Sequence, residues 1–427
     1  MCFRDQEQLG HFDVEAIEQY SRSAALQLGG ILLEKLLNVE SEDRGVRGMV
    51  CPEGHHYEFV EERVKTVLTV VGPIALKRKY YYDKQCKTGH CPKDQIYDVQ
   101  GVSFSPGVRR IMGRVGAYRA FGLGHEDIRE MVGIEVTAKE IERISRRLGH
   151  QAEDFSREES PWEATEISPE TLYVCMDGTG VPMVRAATAN RQGKGEDGQA
   201  TTREAKLGCI FTQTTVDKEG YAVRDEHSTS YVGAIETSDE FSGRLYEEGL
   251  RRGVGQAKQV CVIGDGAAWI WTIAEEQFQG AVQIVDLYHA REHYWNVANV
   301  FFANQRGALH RWTEKRRKEL DAGDVPKVIK AILRLHPKTE EQKEIVKAEV
   351  GYFQKHRERM RYDEFRHRGL FVGSGVLEAG CRTIIGQRLK QSGMHWSVDG
   401  ANSIIALRCC FFSRRWEDFW NWRAKAA

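Results

Sequence analysis

The chain has 427 residues, of which 41% are hydrophobic and 29% charged, and its 61 Lys and Arg nearly balance 62 Asp and Glu. This composition excludes a disordered chain, and the net charge of −1 argues against a uniformly basic nucleic-acid coat. The length predicts about two to four domains. The N-terminus lacks a signal-peptide pattern, and no run reaches the ~20 apolar residues of a membrane-spanning helix. We therefore expect a cytoplasmic protein without a membrane partner.

The N-terminal segment, residues 1–45, is predicted to be helical. Apolar residues recur at helical spacing over residues 13–38 and are interrupted by Gly29-Gly30, which favours one or two amphipathic helices. Residues 46–100 follow as a separate module in which β-branched and aromatic residues replace the helical pattern.

This second module is predicted to contain a β-hairpin over residues 57–82 that turns at Gly72-Pro73. Cysteine and histidine stand on both sides of the hairpin, and these residues are Cys51, His55, Cys86, His90 and Cys91. Ligand pairs that flank a hairpin are the layout of a zinc ribbon with N and S ligands, so the module predicts a Zn²⁺ site. The alternative is a hairpin that packs without metal.

Residues 101–150 are predicted to be helical and to include two short helices joined by a Gly-containing turn. Thr137 followed by Glu140 predicts a capping box at the start of the second of these helices. The element has the form of a DNA-binding helix-turn-helix, although an ordinary helical pair with a solvated face is the alternative. Its bases predicted to read DNA are Lys139, Arg143, Arg146 and Arg147.

An acid-rich stretch over residues 151–170, with the single base Arg157, predicts a solvated linker at a domain boundary. From residue 171 to 427 the pattern predicts an α/β domain, because strand-like runs alternate with helix-like ones. The strand-like runs are TLYVCM, KLGCIFTQ, QVCVIGDG and VQIVDLYH. A stretch at about 290–360 is predicted to be wholly helical, and a Trp-rich helical tail closes the chain.

Two acids stand where predicted strands end. Asp177 follows TLYVCM and Asp265 follows QVCVIG, each beside glycine. A buried acid is costly unless it meets a metal or a hydrogen-bond donor, and two carboxylates at strand tips of one sheet can converge on Mg²⁺. The alternative is a pair of turn aspartates. Glu378 stands in the first turn of a predicted helix, where the helix dipole alone would favour an acid.

Nucleotide-binding loops are not predicted. The run GSGVLEAG lacks the spacing of a dinucleotide fingerprint, and no GxxxxGK[ST] phosphate loop occurs. The sequence therefore indicates no nucleoside-triphosphate-hydrolysing domain.

Four sequence blocks, taken in order, resemble bacterial insertion-sequence transposases with a DDE triad, in particular the ISKra group. The blocks are MDGTGVPM, VIGDGAAWIW, DLYHAREHYWNVA and RGLFVGSGVLEAGCRTIIGQRLKQSGMHWSVDGANSIIALR. The resemblance extends to the CPEGH…YYYDKQCKTGHCP segment, where relatives would show CxxC pairs and this chain has CxxxHH and CxxxHC.

The resemblance implies a ribonuclease H-like catalytic core with a helical insertion before its third acid. It also implies that three acids hold two Mg²⁺ or Mn²⁺ ions, and by position these acids are Asp177, Asp265 and Glu378. Asp286 and His289 resemble the [C/D]xxH motif of hAT- and Mutator-like transposases. His289 would then contact the scissile phosphate or orient an acid, and the alternative is a structural histidine at a strand-to-helix junction.

Bases are concentrated in the last third of the chain. Residues 355–427 carry 14 Lys and Arg against 7 Asp and Glu, and residues 305–336 carry nine against four. We expect the cluster before Glu378 to contact phosphate, and Trp396 either to stack on an unpaired base or to belong to the core. The bases predicted to contact DNA here are Arg359, Arg361, Arg366, Arg388 and Lys390.

The sequence therefore predicts a DDE transposase that binds terminal inverted repeats and joins DNA by two-metal phosphoryl transfer. Because two DNA ends must be held together, we expect a homodimer or larger homo-oligomer associated with the bacterial nucleoid. Two alternatives stay open. One is a domesticated DNA-binding derivative that no longer transposes, which the intact acid set disfavours. The other is a stand-alone ribonuclease H-like nuclease, which leaves the N-terminal modules unexplained.

Overall fold

A computed structural model of the protein describes residues 13–39, 50–51, 53–158, 168–193 and 198–426. The chain divides into two compact units. The first consists of Met1–Ser145 and Trp420–Ala427, and the second of Arg146–Phe419. Within the described ranges, no helix is long and apolar enough to cross a membrane.

The first unit combines a long helix, a three-stranded antiparallel sheet and a group of shorter helices. Its elements in chain order are α1 (Val14–Asn38), β1 (Glu58–Thr69), β2 (Gly72–Asp83), β3 (Thr88–His90), α2 (Pro92–Ile96), α3 (Pro106–Tyr118), α4 (Phe121–Val132) and the start of α5 (Ala138–Glu158). The C-terminal part of α17 (Trp416–Ala426) completes it.

The predicted hairpin is confirmed, but its turn is formed by Val70 and Val71, and Gly72-Pro73 opens β2. β1 and β2 pair antiparallel up to Thr69 and Gly72, and Gly72 adopts φ +108°, which favours glycine. The N-terminal helix is a single one, since α1 continues through Gly29-Gly30. A Cβ on Gly30 would lie 3.3 Å from the Val71 carbonyl oxygen, so the missing side chain lets α1 approach the hairpin turn.

Helices α4 and α5 form the two-helix element expected before residue 150. α4 ends at Gly133 with φ +78°, and α5 begins with the predicted capping box. There the Thr137 Oγ1 accepts from the Glu140 N–H at 3.2 Å, and the Glu140 carboxylate accepts from the Thr137 N–H at 2.8 Å. α5 continues to Glu158, so the first residues of the expected acidic linker are helical instead. Linker residues 159–167 lie outside the described residues.

The second unit is a mixed α/β domain, as the sequence predicts. Its elements are β4 (Thr171–Pro182), α6 (Arg185–Thr188), β5 (Thr202–Gln213), β6 (Thr215–Val216), β7 (Ala222–Val223), β8 (Ser230–Ala234), α7 (Ser238–Arg251), β9 (Gln259–Gly264), α8 (Ala268–Gln277), β10 (Val282–Val285), α9 (Leu287–Phe302), α10 (Arg306–Asp321), α11 (Val325–Leu333), α12 (Glu340–Lys355), α13 (Tyr362–His367), α14 (Gly375–Gly380), α15 (Gln387–Leu389), α16 (Val398–Phe412) and the first turn of α17.

The centre of this unit is a five-stranded sheet with the order β10-β9-β4-β5-β8. β9 runs parallel to β4 and β10 parallel to β9, whereas β5 pairs antiparallel with both β4 and β8. The strands are buried because helices cover them, and the thiols of Cys175, Cys209 and Cys261 lie fully inside. Helices α9 to α12 fill the stretch after β10 that the sequence predicts to be helical.

Candidate functional site: the carboxyl edge of the parallel strands

Asp177 and Asp265 lie side by side on neighbouring parallel strands. Asp265 directly follows β9, whereas Asp177 lies within β4, which continues to Pro182 paired with β5, so the prediction that a strand ends before Asp177 is wrong. Met176 pairs with Gly264 at the last step of the β4–β9 ladder, and each aspartate is the next residue of its chain. Because adjacent strands are about 4.8 Å apart and in-register residues point to the same face, the two side chains are neighbours. Both are partly buried.

The surroundings of Asp177 disfavour its negative charge. Burial raises the pKa of this carboxyl above its ordinary value, and the charge of Asp265 raises it further. A hydrogen bond with the Cys381 thiol, the Gly178 N–H at 2.7 Å and the charge of His289 oppose the rise without cancelling it. A cation bound between these two partly buried carboxylates would therefore stabilise their ionised forms.

The turn that carries Asp265 is held by the helical insertion. Its Oδ1 accepts from the Ala267 N–H at 2.8 Å, and its backbone carbonyl accepts from the Tyr352 hydroxyl at 2.8 Å. Gly266 adopts φ +112° and a Cβ there would lie 2.7 Å from the Tyr352 ring, so only glycine fits. The ring of Tyr352 in turn stacks on His293, with centroids 3.4 Å apart.

Asp286 follows the third parallel strand, β10, and is fully buried. Its Oδ1 caps α9 by accepting from the N–H groups of Tyr288 at 2.7 Å and His289 at 3.0 Å. Its Oδ2 accepts from the N–H of Ser374, which lies in the segment that leads into α14. Asp286 thus joins the end of β10 to the segment that carries Glu378.

His289 lies in the first turn of α9 and is about one-third exposed. Its Nδ1 is 3.5 Å from the Glu292 carboxylate, and its charge lowers the pKa of Asp177. The imidazole therefore lies within electrostatic range of Asp177.

Glu378 is exposed on α14, a short helix that packs against β4 and β5. Three residues later, Cys381 begins a π-helical segment, Cys381–Gly386, and its thiol shares a hydrogen bond with Asp177. Residues three apart on a helix lie on the same face, and π-helical turns are frequent at functional sites. This contact brings the helix that carries Glu378 to the aspartate edge.

The three predicted acids do not form a closed ligand cluster. Among the described residues, only one group of three or more His, Cys, Asp or Glu has its ligand atoms within 4.8 Å of one another, and that group belongs to the first unit. The sheet register places Asp177 beside Asp265. The distance of Glu378 from this pair is set by the position of α14.

The predicted DNA-contacting bases fall into four sets, which are those of α5, Lys390, the cluster before Glu378, and Arg388. On α5, Lys139, Arg143, Arg146 and Arg147 are all exposed, although Arg146 donates through its Nε to Asp399 at 3.0 Å. Lys390 is exposed and its Nζ is 2.5 Å from the Oγ1 of Thr179, two residues past Asp177. Lys390 is thus the predicted base that lies nearest the acidic edge along β4.

The bases of the cluster before Glu378 contact the insertion and its surroundings. The Arg359 Nε donates to Gln283 at 2.7 Å, and its guanidinium lies 4.5 Å from the Trp271 ring centroid. Arg366 donates to the Asp321 carbonyl at 3.0 Å. Arg361 is exposed and pairs with a carboxylate of α13.

Arg388 and Trp396 are placed in the interior, which contradicts the surface role predicted for them. Arg388 is fully buried with its guanidinium 4.9 Å from the Trp396 ring centroid, and burial lowers its pKa to about 10. Trp396 is 8% exposed and donates its indole N–H to the Leu389 carbonyl at 3.0 Å. The alternative of a core tryptophan is the correct one.

Within the part of the chain that the structure describes, the one closed group of potential ligands consists of Cys51, His55, Asp83 and Cys86. Three of these residues are among the predicted zinc ligands. His90 and Cys91 are not part of the group, and Asp83 takes their place. This group could hold a metal ion such as zinc.

Sequence reasoning missed Asp83, Cys381 and Tyr352. Two of them carry a local signal, since Asp83 stands at D-x-x-C spacing before Cys86 and Cys381 stands three residues after Glu378. Tyr352 carries none, because it reaches Asp265 from 87 residues away along the chain.

Comparisons with known proteins leave the family of this chain open. No family model matches the sequence, and no curated protein matches it. Among solved structures, the chain is similar to the Drosophila P element transposase strand transfer complex, with 9% sequence identity, a TM-score of 0.26, and coverage of 78% of this chain and 84% of that one. A likeness this low transfers nothing to this chain, whose function has to be argued from its own residues.

Proposed function

We propose that the protein is a DDE transposase with a ribonuclease H-like core, which binds the terminal inverted repeats of an insertion sequence and catalyses DNA cleavage and strand transfer. The observation that carries this proposal is the pairing of Asp177 and Asp265. They lie side by side just past the last pair of the parallel β4–β9 ladder, in a five-stranded sheet in which β5, the second strand along the chain, is antiparallel to β4.

Two contacts support Glu378 as the third acid. The Cys381 thiol bonds Asp177, and Asp286 bonds the backbone of Ser374. Both tie the segment that carries Glu378 to the edge where the two aspartates stand. Glu378 would complete the set if α14 shifted so that its carboxylate faced the two aspartates.

The donor set fits divalent cations, because partly buried carboxylate oxygens are the ligands that Mg²⁺ and Mn²⁺ prefer. Asp177, Asp265 and Glu378 would hold two such ions, which supply activation of the attacking water or 3′-hydroxyl and neutralisation of the leaving oxygen. The same carboxylates serve cleavage and strand transfer, since only the attacking hydroxyl differs between the two reactions.

Other side chains act around these acids. Tyr352 holds the turn of Asp265 through the backbone carbonyl, and Lys390 offers a cation beside β4 for the phosphate of the DNA. His289, near Asp177, contacts the scissile phosphate. The exposed bases of α5 bind the DNA flanks through phosphate charge, and assembly of two copies holds two ends together.

The test uses purified protein and labelled DNA from the flanks of its coding region, with Mg²⁺ or Mn²⁺. We expect the wild type to cut at the repeat ends and Asp177→Asn to abolish cutting while it binds the same DNA. The matched control is Asp217→Asn, because Asp217 also accepts backbone N–H groups in a turn after a strand but lies in the β6–β7 turn.

A further variant separates metal binding from misfolding. Asp177→Cys should be inactive with Mg²⁺ and regain cutting with Mn²⁺, because a thiolate is a softer ligand. Wild-type cutting by Asp177→Asn would refute the proposal. Repeat binding without cutting by the wild type would favour a domesticated DNA-binding protein, and cutting without strand transfer would favour a nuclease.

A further inference from the structure

The distal end of the β1–β2 hairpin has little apolar core to hold it. The first seven residues of β1, from Glu58 to Val64, are all exposed, whereas the buried cluster of Val67, Ile74 and Leu76 lies at the turn end. β3 pairs with β2 there over only three residues, so a further link between the two strand ends would add to the stability of this end of the sheet.

Two tight turns face each other at that distal end. In the first, the Cys51 N–H donates to the His55 carbonyl at 2.8 Å, and Gly54 adopts φ +87°. In the second, between β2 and β3, the Oδ1 of Asp83 accepts from the N–H of Gln85 at 2.8 Å. Each turn therefore presents two side chains to the other.

The four side chains meet at distances that suit one metal ion. The Cys51 and Cys86 sulfurs are 3.3 Å apart, and the His55 Nδ1 is 3.1 Å from the Cys86 sulfur and 3.7 Å from that of Cys51. The Asp83 Oδ2 lies 3.8 Å from the His55 Nδ1. Zn–S and Zn–N bonds of about 2.3 and 2.0 Å give tetrahedral ligand-to-ligand edges of about 3.3–3.8 Å.

The unpartnered Oδ2 atom of Asp83 indicates that a cation binds beside it. Asp83 is 2% exposed, and among the residues that the structure describes its Oδ2 has no hydrogen-bond partner. A buried carboxylate oxygen without a partner is costly, and the other oxygen is already oriented by backbone N–H groups. A metal ion at the centre of the group would satisfy it.

We propose that Cys51, His55, Asp83 and Cys86 bind one Zn²⁺ ion and that this ion joins the turn before β1 to the turn after β2. His90 and Cys91 are not ligands. His90 pairs with Tyr81 in the β2–β3 ladder, and Cys91 precedes α2 near Arg78 and Asp94. Two thiolates and an imidazole favour zinc over the hard cations of the aspartate edge. The proposal is independent of the DNA chemistry.

Metal analysis of the full chain, purified under reducing conditions without chelator, tests the proposal. We expect one zinc per chain in the wild type, in Cys91→Ser and in His90→Gln. Cys86→Ser should lose the zinc, and Asp83→Asn should lose it faster to a competing chelator. Zinc retained by Cys86→Ser, zinc lost from Cys91→Ser, or a zinc-free wild type with a Cys51–Cys86 disulfide would overturn the assignment.

Cobalt substitution gives a readout that misfolding cannot imitate. The wild type loaded with Co²⁺ should show sulfur-to-cobalt charge transfer from two thiolates, and Cys91→Ser should leave this band unchanged. Asp83→Cys should strengthen the band by about half, because a third thiolate would join the metal. An unchanged band in Asp83→Cys would refute the assignment of Asp83 as the fourth ligand.

Discussion

Asp286→Asn offers a sharp test of how the edge of the sheet is held together. The carboxylate accepts from three backbone N–H groups, those of Tyr288 and His289 through Oδ1 and that of Ser374 through Oδ2. Asparagine has nearly the same shape but only one oxygen. Its NH₂ group must therefore face either the α9 cap or Ser374, and the cap has two donors.

The change in the free energy of unfolding depends on which of these hydrogen bonds the substitution removes. Asn and Asp are about equally good N-caps, so the cap of α9 alone predicts almost no change. The Ser374 N–H, however, would be left buried without an acceptor, which costs about 1–3 kcal/mol. For a unit of this size, a loss of about 2 kcal/mol lowers the unfolding midpoint by roughly 4–8 °C.

Calorimetry of the full chain measures the midpoint, and amide hydrogen exchange measures the protection of Ser374. Asp324→Asn is the matched control, because Asp324 caps α11 through the single N–H of Lys327 at 3.2 Å, and its ion pair with the Lys327 side chain lies at the surface, where solvent screens it. If Asp286→Asn were as stable as this control and Ser374 equally protected, the bridge between β10 and the Glu378 segment would be refuted.

Three further predictions concern binding, pH and the Asp265 turn. Lys139→Ala should weaken binding equally on all DNA sequences and lower the salt slope of the affinity by about 1, and a sequence-dependent loss in binding titrations would contradict a phosphate contact. Burial, reinforced by the charge of Arg359, lowers the pKa of His356 to about 4, so the unfolded chain binds more protons between that pKa and the ordinary value. The free energy of unfolding should therefore fall as pH drops through this window, and His356→Gln should flatten the slope in denaturant titrations. Tyr352→Phe removes only the hydroxyl that holds the Asp265 carbonyl, and it should slow cleavage about tenfold with unchanged DNA affinity, because one hydrogen bond contributes about 1.4 kcal/mol. Single-turnover rates at the wild-type level would show that this contact does not matter.

Much of the second unit could be predicted from the sequence, because its signals are local. The strands β4, β5, β9 and β10 are continuous apolar runs, and the two edge aspartates stand directly after such runs. β8 was not predicted, since SYVGA has only five residues and is too short a run to be distinguished as a strand by its pattern alone. It becomes a strand by pairing with β5, and a pairing partner 20 or more residues away leaves no trace in the local pattern.

The sequence by itself determined the class of the fold, the hairpin, the capping box and the two aspartates that follow the apolar runs of β4 and β9, because each depends on side chains a few positions apart. Only the tertiary structure decided which ligands meet. It replaced His90 and Cys91 by Asp83, placed Arg388 and Trp396 in the core, and gave Asp286 a bridge to Ser374. These outcomes depend on which distant segments pack together, and burial then selects the group that can satisfy each polar atom.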